Sequence, residues 1–286
     1  LIQNVDVAAE TPPRKKKIRH IVAAVLLGII VIYIVSGALF WKIGMPAFMF
    51  GYEKNDNGGI TITNYYGPYL HVHIPDKIDG LDVTEIGFEA FGPKLSPHSA
   101  KDKFKSLVCR NIREVRLPDT VEKIDLLAFG GCNNLTDVNI PSSLRELGGN
   151  IFMDTKIKEI ELPEGMTKID FHAFLGSSSL EKVTLPDSIE AIDCAAFADC
   201  NNLKEINLPD GLKIVSAYAF DRTALSKVTL PDSVEEIDYL AFADCKNLKE
   251  INVPEGLKKI YSNAFLRSGL SAEQKQAFFD KAEEVK

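Results

Sequence analysis

Five cysteines, five histidines and a recurring aspartate are the residues in this chain whose chemistry could go beyond packing. Cys109, Cys132, Cys200 and Cys245 each stand nine residues before a proline (Pro118, Pro141, Pro209 and Pro254). Ser177 holds the same place before Pro186, and Thr155 and Thr223 hold it where the spacing is one shorter. A position shared by Cys, Ser and Thr asks for a small side chain of modest polarity, which is a packing role. Zinc needs Cys and His clustered at close spacing, and the sequence offers no such cluster. His71 and His73 lie two apart and would share one face of a strand, but no third ligand is near. His172 sits beside a phenylalanine, and His98 falls in a loop-like segment. No Ser or Cys comes with a matched His and acid for nucleophilic catalysis. Asp125, Asp170, Asp193 and Asp238, with Ser216 in the same place, would suit calcium only within a Gly-Gly-x-Gly-x-Asp repeat, which is absent; helix N-capping accounts for them. Asn134-Leu135-Thr136 is a glycosylation sequon, relevant in a host that glycosylates. The chain is therefore expected to be no enzyme and to hold no metal or cofactor.

These residues keep one beat. Phe129, Phe152, Phe174, Phe197, Phe220, Phe242 and Phe265 follow one another at steps of 23, 22, 23, 23, 22 and 23. Pro118, Pro141, Pro163, Pro186, Pro209, Pro231 and Pro254 keep the same time. The stretch LPDSIEAIDCAAFADCNNLKEINLPDG returns nearly intact as LPDSVEEIDYLAFADCKNLKEINVPEG. A fixed period in the twenties marks a leucine-rich-repeat solenoid, in which each coil touches only its neighbours. The fold expected is a β-rich (α/β-type) right-handed solenoid behind an N-terminal transmembrane helix. Within one coil, Pro186-Asp187-Ser188 forms a corner and Ile189 and Ile192 point inward. Asp193 caps a short helical turn ending at Ala196-Phe197. Leu203, Ile206 and Leu208 close the coil, the last two on a strand with one buried face. The 22-residue steps come from a shortened loop after Phe152 and Phe220. With about 4.8 Å between coils, Cys200 and Cys245 stand two coils apart, beyond disulfide reach. Cys109 and Cys132, in adjacent coils, could just meet. The expectation is nonetheless that all five thiols are free and buried.

The repeat resembles the BspA-type leucine-rich-repeat family, whose coil reads roughly L-P-x-x-[LVI]-x-x-I-x-x-x-A-F-x-x-C-x-x-L-x-x-[VI]-x-[LVI]-P, over about residues 60–270. The resemblance implies a solenoid on a cell surface that binds proteins, host matrix or other cells, and it supplies no catalytic residues. The chain departs from the pattern at Ile151, where Ala is expected before Phe152, and in the loop after Phe91. The candidate binding face is one outward column of strand positions: Arg116, Asn139, Glu161, Thr184, Asn207, Thr229 and Asn252. A second column holds Glu114, Asp137, Glu159, Lys182, Glu205, Lys227 and Glu250. A merely solvated face would look the same, and truncating Asn207 should then change stability by no more than about 0.5 kcal/mol.

Ile21 to Trp41 carries no charge over 21 residues, about 31 Å as a helix, the thickness of a bilayer core. Arg14, Lys15, Lys16, Lys17 and Arg19 precede it and only Lys42 follows closely. The positive-inside rule then puts residues 1–20 in the cytoplasm and the repeats outside a single-pass plasma-membrane anchor. A cleaved secretory signal ending near Ser36-Gly37-Ala38 is the alternative. Residues 42–59 read as a stalk and flexible joint, residues 60–270 as the solenoid with an exposed insertion at 92–106, and residues 271–286 as a capping helix that opens on a Ser271/Gln274 capping box. Ile60–Tyr66 and Tyr69–Ile74 suggest a hairpin about Gly67-Pro68 that covers the first open edge. Residues 1–43 carry a net +4, so the remainder holds −11 of the total −7. That acidity argues against nucleic acid and against docking the repeats on anionic lipid. The function expected is protein binding or adhesion at the cell surface, with scaffolding of the cell envelope as the alternative.

Overall fold

The computed structural model describes residues 14–93 and 99–285; His98 and the tail before residue 14 lie outside the described residues. The chain winds into a β-rich solenoid of about 10 turns. Each coil contributes one short strand to each of two parallel faces. One face comprises β3 (His71–His73), β6 (Glu114–Arg116) and their successors, and the other β2 (Ile60–Tyr65), β5 (Leu81–Ile86) and theirs. Between the two lies a short antiparallel strand, β4 (Lys77–Ile78), paired with β5.

The core is built by repetition. Ile189, Ile192, Ala196, Phe197, Cys200 and Leu203 are all fully buried, as are most of their equivalents. The rings of Phe91, Phe129, Phe152, Phe174, Phe197, Phe220, Phe242 and Phe265 stack face to face, with centroids between 5.1 and 5.8 Å apart.

The Asp193-to-Phe197 segment is not the expected helical turn. It is a pair of sharp turns, each hinged on a residue in the left-handed region, Ala195 (φ 52°) and Asp199 (φ 59°). Leu127, Asn150, His172, Tyr218 and Leu240 repeat the first hinge, and Asp154, Arg222, Asp244 and Arg267 the second. Left-handed backbone costs a non-glycine residue roughly 1–2 kcal/mol. The turns offset that by aiming N–H groups along the stack. Ala195 donates to the Ala217 carbonyl, Phe197 to Ala219 and Asp199 to Asp221, each at 2.9 Å. A helical turn would have directed those donors back into its own coil. The aspartates cap these turns as acceptors: Asp125 takes the N–H of Leu126 at 2.7 Å and Asp238 that of Tyr239 at 2.6 Å.

The Cys/Ser/Thr position has a specific partner. Cys200 donates to the carbonyl of Phe174, Cys245 to that of Phe220 and Ser177 to that of Phe152, each one coil back. In the two shortened coils Thr155 and Thr223 donate instead to their own Phe152 and Phe220 carbonyls at 3.0 Å. The missing residue is thus absorbed without leaving a buried hydroxyl unsatisfied.

Both ends depart from expectation. Residues 42–59 are no flexible stalk: Met45, Met49 and Phe50 are buried, and β1 (Phe50–Lys54) pairs antiparallel with β2. Asn55–Gly59 is the turn of that hairpin, with Asn55 Oδ1 accepting the Gly59 N–H. Gly67-Pro68 therefore joins two faces of one coil and is no hairpin turn, because β3 pairs in parallel with β6. Burial of Phe50 against Tyr65 (5.6 Å) decides this, since it extends the ring stack by one step. Part of the insertion is a helix, α2 (Ala100–Asn111), capped by Ser99 and Asp102. At the far end α3 (Ala272–Lys281) opens on the Ser271/Gln274 box and lays Phe278 against Phe265 at 4.8 Å. It stops short of the expected length, because Glu283–Val285 leaves it to pair with Lys259–Tyr261 and cover the open edge.

Phe197 lies between two stacked rings, so Phe197→Ala should cost about 3–5 kcal/mol, read as a lowered urea midpoint in a chain beginning at Gly44.

Candidate binding surface

The outward column from Arg116 to Asn252 lies along the β3/β6 face, and the structure gives its members unlike tasks. Asn139, Asn207 and Asn252 each clip the preceding coil. Asn207 Oδ1 accepts the Leu185 N–H at 2.8 Å while its Nδ2 donates to the Leu185 carbonyl at 2.7 Å. Asn139 does the same to Leu117, and Asn252 to Leu230. Where Arg116 and Thr184 stand, the backbone carbonyl makes the contact instead, to Ile74 and Leu162. The amide thus replaces a rung of the ladder, and the face is interrupted after Asn139 and after Asn207. Those interruptions precede the coils that begin with the shortened loops. Glu161 and Thr229 sit beside these breaks, both exposed.

The second column is an inter-coil charge ladder. Lys227 meets Glu250 at 3.0 Å and Lys182 meets Glu205 at 3.9 Å. On the opposite face Lys259 meets Glu236 at 2.8 Å. Such exposed pairs add little stability; they alternate the charge in the later coils, whereas the acidic Glu114 and Asp137 face each other across adjacent strands in the earlier ones.

The third side of the coil, where the turns lie, was not anticipated as a surface. Phe171 and Tyr239 are exposed there, and Tyr218 packs edge-on against Tyr239 at 5.4 Å. Arg222 on Asp199 and Arg267 on Asp244 frame it with two-point ion pairs. The Arg267 guanidinium holds the Asp244 carboxyl below its usual range. The signal was present in the sequence as aromatic residues one or two places before Ala-Phe, in FHAF, YAF and YLAF.

The residues that suggested chemistry have other partners. His73 Nδ1 lies 2.8 Å from the Trp41 carbonyl, and both His71 and His73 pack edge-on against the Trp41 ring. Among the described residues no group of His, Cys, Asp and Glu could hold a metal ion. None of the five cysteines is in a disulfide, so Cys109 and Cys132 are not linked. Burial pushes the Cys245 thiol up to about 11 and holds Cys132 and Cys200 above the usual thiol range. Cys194 departs from expectation: it is exposed on the turn side, because its side chain occupies the outward place of Phe171 and Tyr239.

The family model of the BspA type leucine rich repeat region matches residues 100–193 and 167–277, in 6 copies. The solenoid thus defines a leucine-rich-repeat protein, and the chain belongs to the BspA-type family. A leucine-rich-repeat protein of T. pallidum is similar at 27% identity, over 84% of this chain and 97% of that one, with a TM-score of 0.61. One from Bacteroides ovatus aligns at 22% identity over 76% of this chain and 70% of its own, with a TM-score of 0.47. No curated protein matches the chain.

Asn207→Ala breaks two backbone contacts and should lower stability by about 1–2 kcal/mol, more than a solvated position would, as urea melts can show. Native alkylation should modify Cys194 alone, with Cys109, Cys132, Cys200 and Cys245 reacting only after unfolding; mass spectrometry of labelled peptides reads this directly.

Proposed function

We propose that this chain is a single-pass membrane protein whose repeats lie outside the cell and bind protein or cell-surface ligands. The observation that carries the reading is α1 (Arg14–Ile43). Its Val22–Ile43 portion is long and apolar enough to cross a membrane, and its apolar stretch is not buried in the fold. A core helix would be covered, and an exposed apolar face of this size seeks lipid. The basic cluster before it favours a cytoplasmic N-terminus. A stacked solenoid outside then offers long, regular surfaces for a partner.

Anchoring contacts belong on the turn side, where Phe171, Tyr218 and Tyr239 supply aromatic groups of the kind that dominate binding energy. Arg116, Glu161, Thr184 and Thr229 add polar contacts on the strand face, where Asn139, Asn207 and Asn252 are already bonded to their neighbours. Protease added to intact cells should digest the repeats and spare an N-terminal tag; a digested tag with intact repeats would reverse the topology. Full-length protein in detergent should capture a ligand that Phe171→Ala/Tyr239→Ala no longer holds and Thr184→Ala/Thr229→Ala still does. Foreign or host ligands mean adhesion, whereas envelope proteins mean scaffolding.

A further inference from the structure

The first coil is fastened to α1 along its length, and that sets its depth. Trp41 packs on His71 and His73, Phe40 and Ser36 on Tyr69, and the Tyr33 hydroxyl donates to the Pro68 carbonyl at 3.2 Å. Tyr33 also stacks on Tyr69 at 4.8 Å. The helix therefore runs parallel to the Pro68–His73 segment, and following it back from Trp41 to Tyr33 follows the chain back from His73 to Pro68. Those eight helical residues cover about 12 Å. If the span ends at Trp41, as the proposed anchoring requires, the Pro68 edge of the coil lies about 12 Å deeper than the outer interface.

The surface beside that edge is suited to lipid. Tyr66 is exposed, and its N–H donates to the carbonyl of Met49, the neighbour of Phe48, which is 78% exposed. Helix α2 reaches the same edge: Lys105 Nζ donates to Asn64 Oδ1 at 2.7 Å, and Arg113, just past the helix, donates to the Leu70 carbonyl. Val108 and Cys109 are its buried side. Its outer side presents Phe104 (51% exposed) and Leu107 (63% exposed) between exposed Lys103 and Arg110. The helix holds four basic residues and one acidic one in a domain that is otherwise acidic. Apolar side chains flanked by cations are the makeup of a helix lying in an anionic membrane interface.

We infer that the first coil rests on the outer leaflet, with α2 as an interfacial helix that inserts Phe104 and Leu107 and sets Lys103 and Arg110 against anionic headgroups. The inference rests on the anchoring of α1. It departs from the expectation, drawn from net charge, that the repeats avoid an anionic surface, on the ground that the charge is reversed locally on α2.

The test uses the full chain with Cys194→Ser, labelled with a fluorophore at Phe104→Cys or at Asn247→Cys on a distant coil. The protein is reconstituted in phosphatidylcholine vesicles with and without phosphatidylglycerol, and nitroxide-bearing lipids serve as quencher. Trp41, the single tryptophan, reports insertion of α1 in the unlabelled chain. Expected are quenching of Trp41 and a several-fold stronger quenching at position 104 than at 247. The signal at 104 should rise further with phosphatidylglycerol, and Lys103→Glu/Arg110→Glu should abolish that rise. Quenched Trp41 with equal quenching at 104 and 247 would overturn the inference and leave the anchor standing, whereas unquenched Trp41 would overturn both. Concentration-dependent shielding of position 104 in detergent, without lipid, would make a second copy of the chain the occupant and overturn it as well.

Discussion

The fold depends on a single column of aromatic rings. One ring per coil, fully buried and stacked on the next, requires every coil to arrive at the same place with the same orientation. The backbone fastens that register, since each of these phenylalanines from Phe152 to Phe242 donates its N–H to the residue before the next ring. The small residue there, usually Ala, lets the coils approach. A coil can lose a residue only where the ring position is unaffected. That is where the losses fall, in the loop after Phe152 and Phe220, with threonine redirected to its own carbonyl. Because a coil alone has too little core, stability is shared between neighbours, and a solenoid is only as sound as its ends.

Both ends are finished by the same interaction. Tyr65 and Phe50 continue the column before Phe91, and Phe278 closes it after Phe265. Each is accompanied by a strand that covers an open edge, β1 on one side and Glu283–Val285 on the other. The N-terminal cap also carries α1, so whatever holds that helix holds the solenoid in a fixed attitude. A flexible stalk would have left orientation free; a segment held by buried Met45, Met49 and Phe50 does not.

The three sides of the coil divide the work. The strand faces bind coil to coil through asparagine clips and lysine–glutamate ladders, which leaves their outward groups partly occupied. The turn side is fastened by backbone N–H groups from its left-handed hinges and by Arg–Asp pairs, which leaves the side-chain places three residues before each ring uncommitted. That freedom explains why Phe171, Tyr239 and Cys194 can be exposed there, and why a binding surface is better sought on that side than on the uniform polar column.

The sequence by itself determined what repeats. Period, inward residues, the packing role of Cys132, Cys200 and Cys245, the family and the apolar span were all legible, because each coil meets nearly the same surroundings and so shows the same pattern. The tertiary structure alone decided what occurs once or depends on direction. It turned the residues before Ala-Phe into left-handed hinges, because only the stack gives their N–H groups partners. It set Asn207 on Leu185, because an outward polar residue looks the same in sequence whether it meets water or a neighbouring coil. It placed Phe50 under Tyr65 and Tyr33 on Tyr69, contacts between distant residues that no period records. Physical repetition writes itself into sequence, whereas a contact made only once leaves no pattern to read.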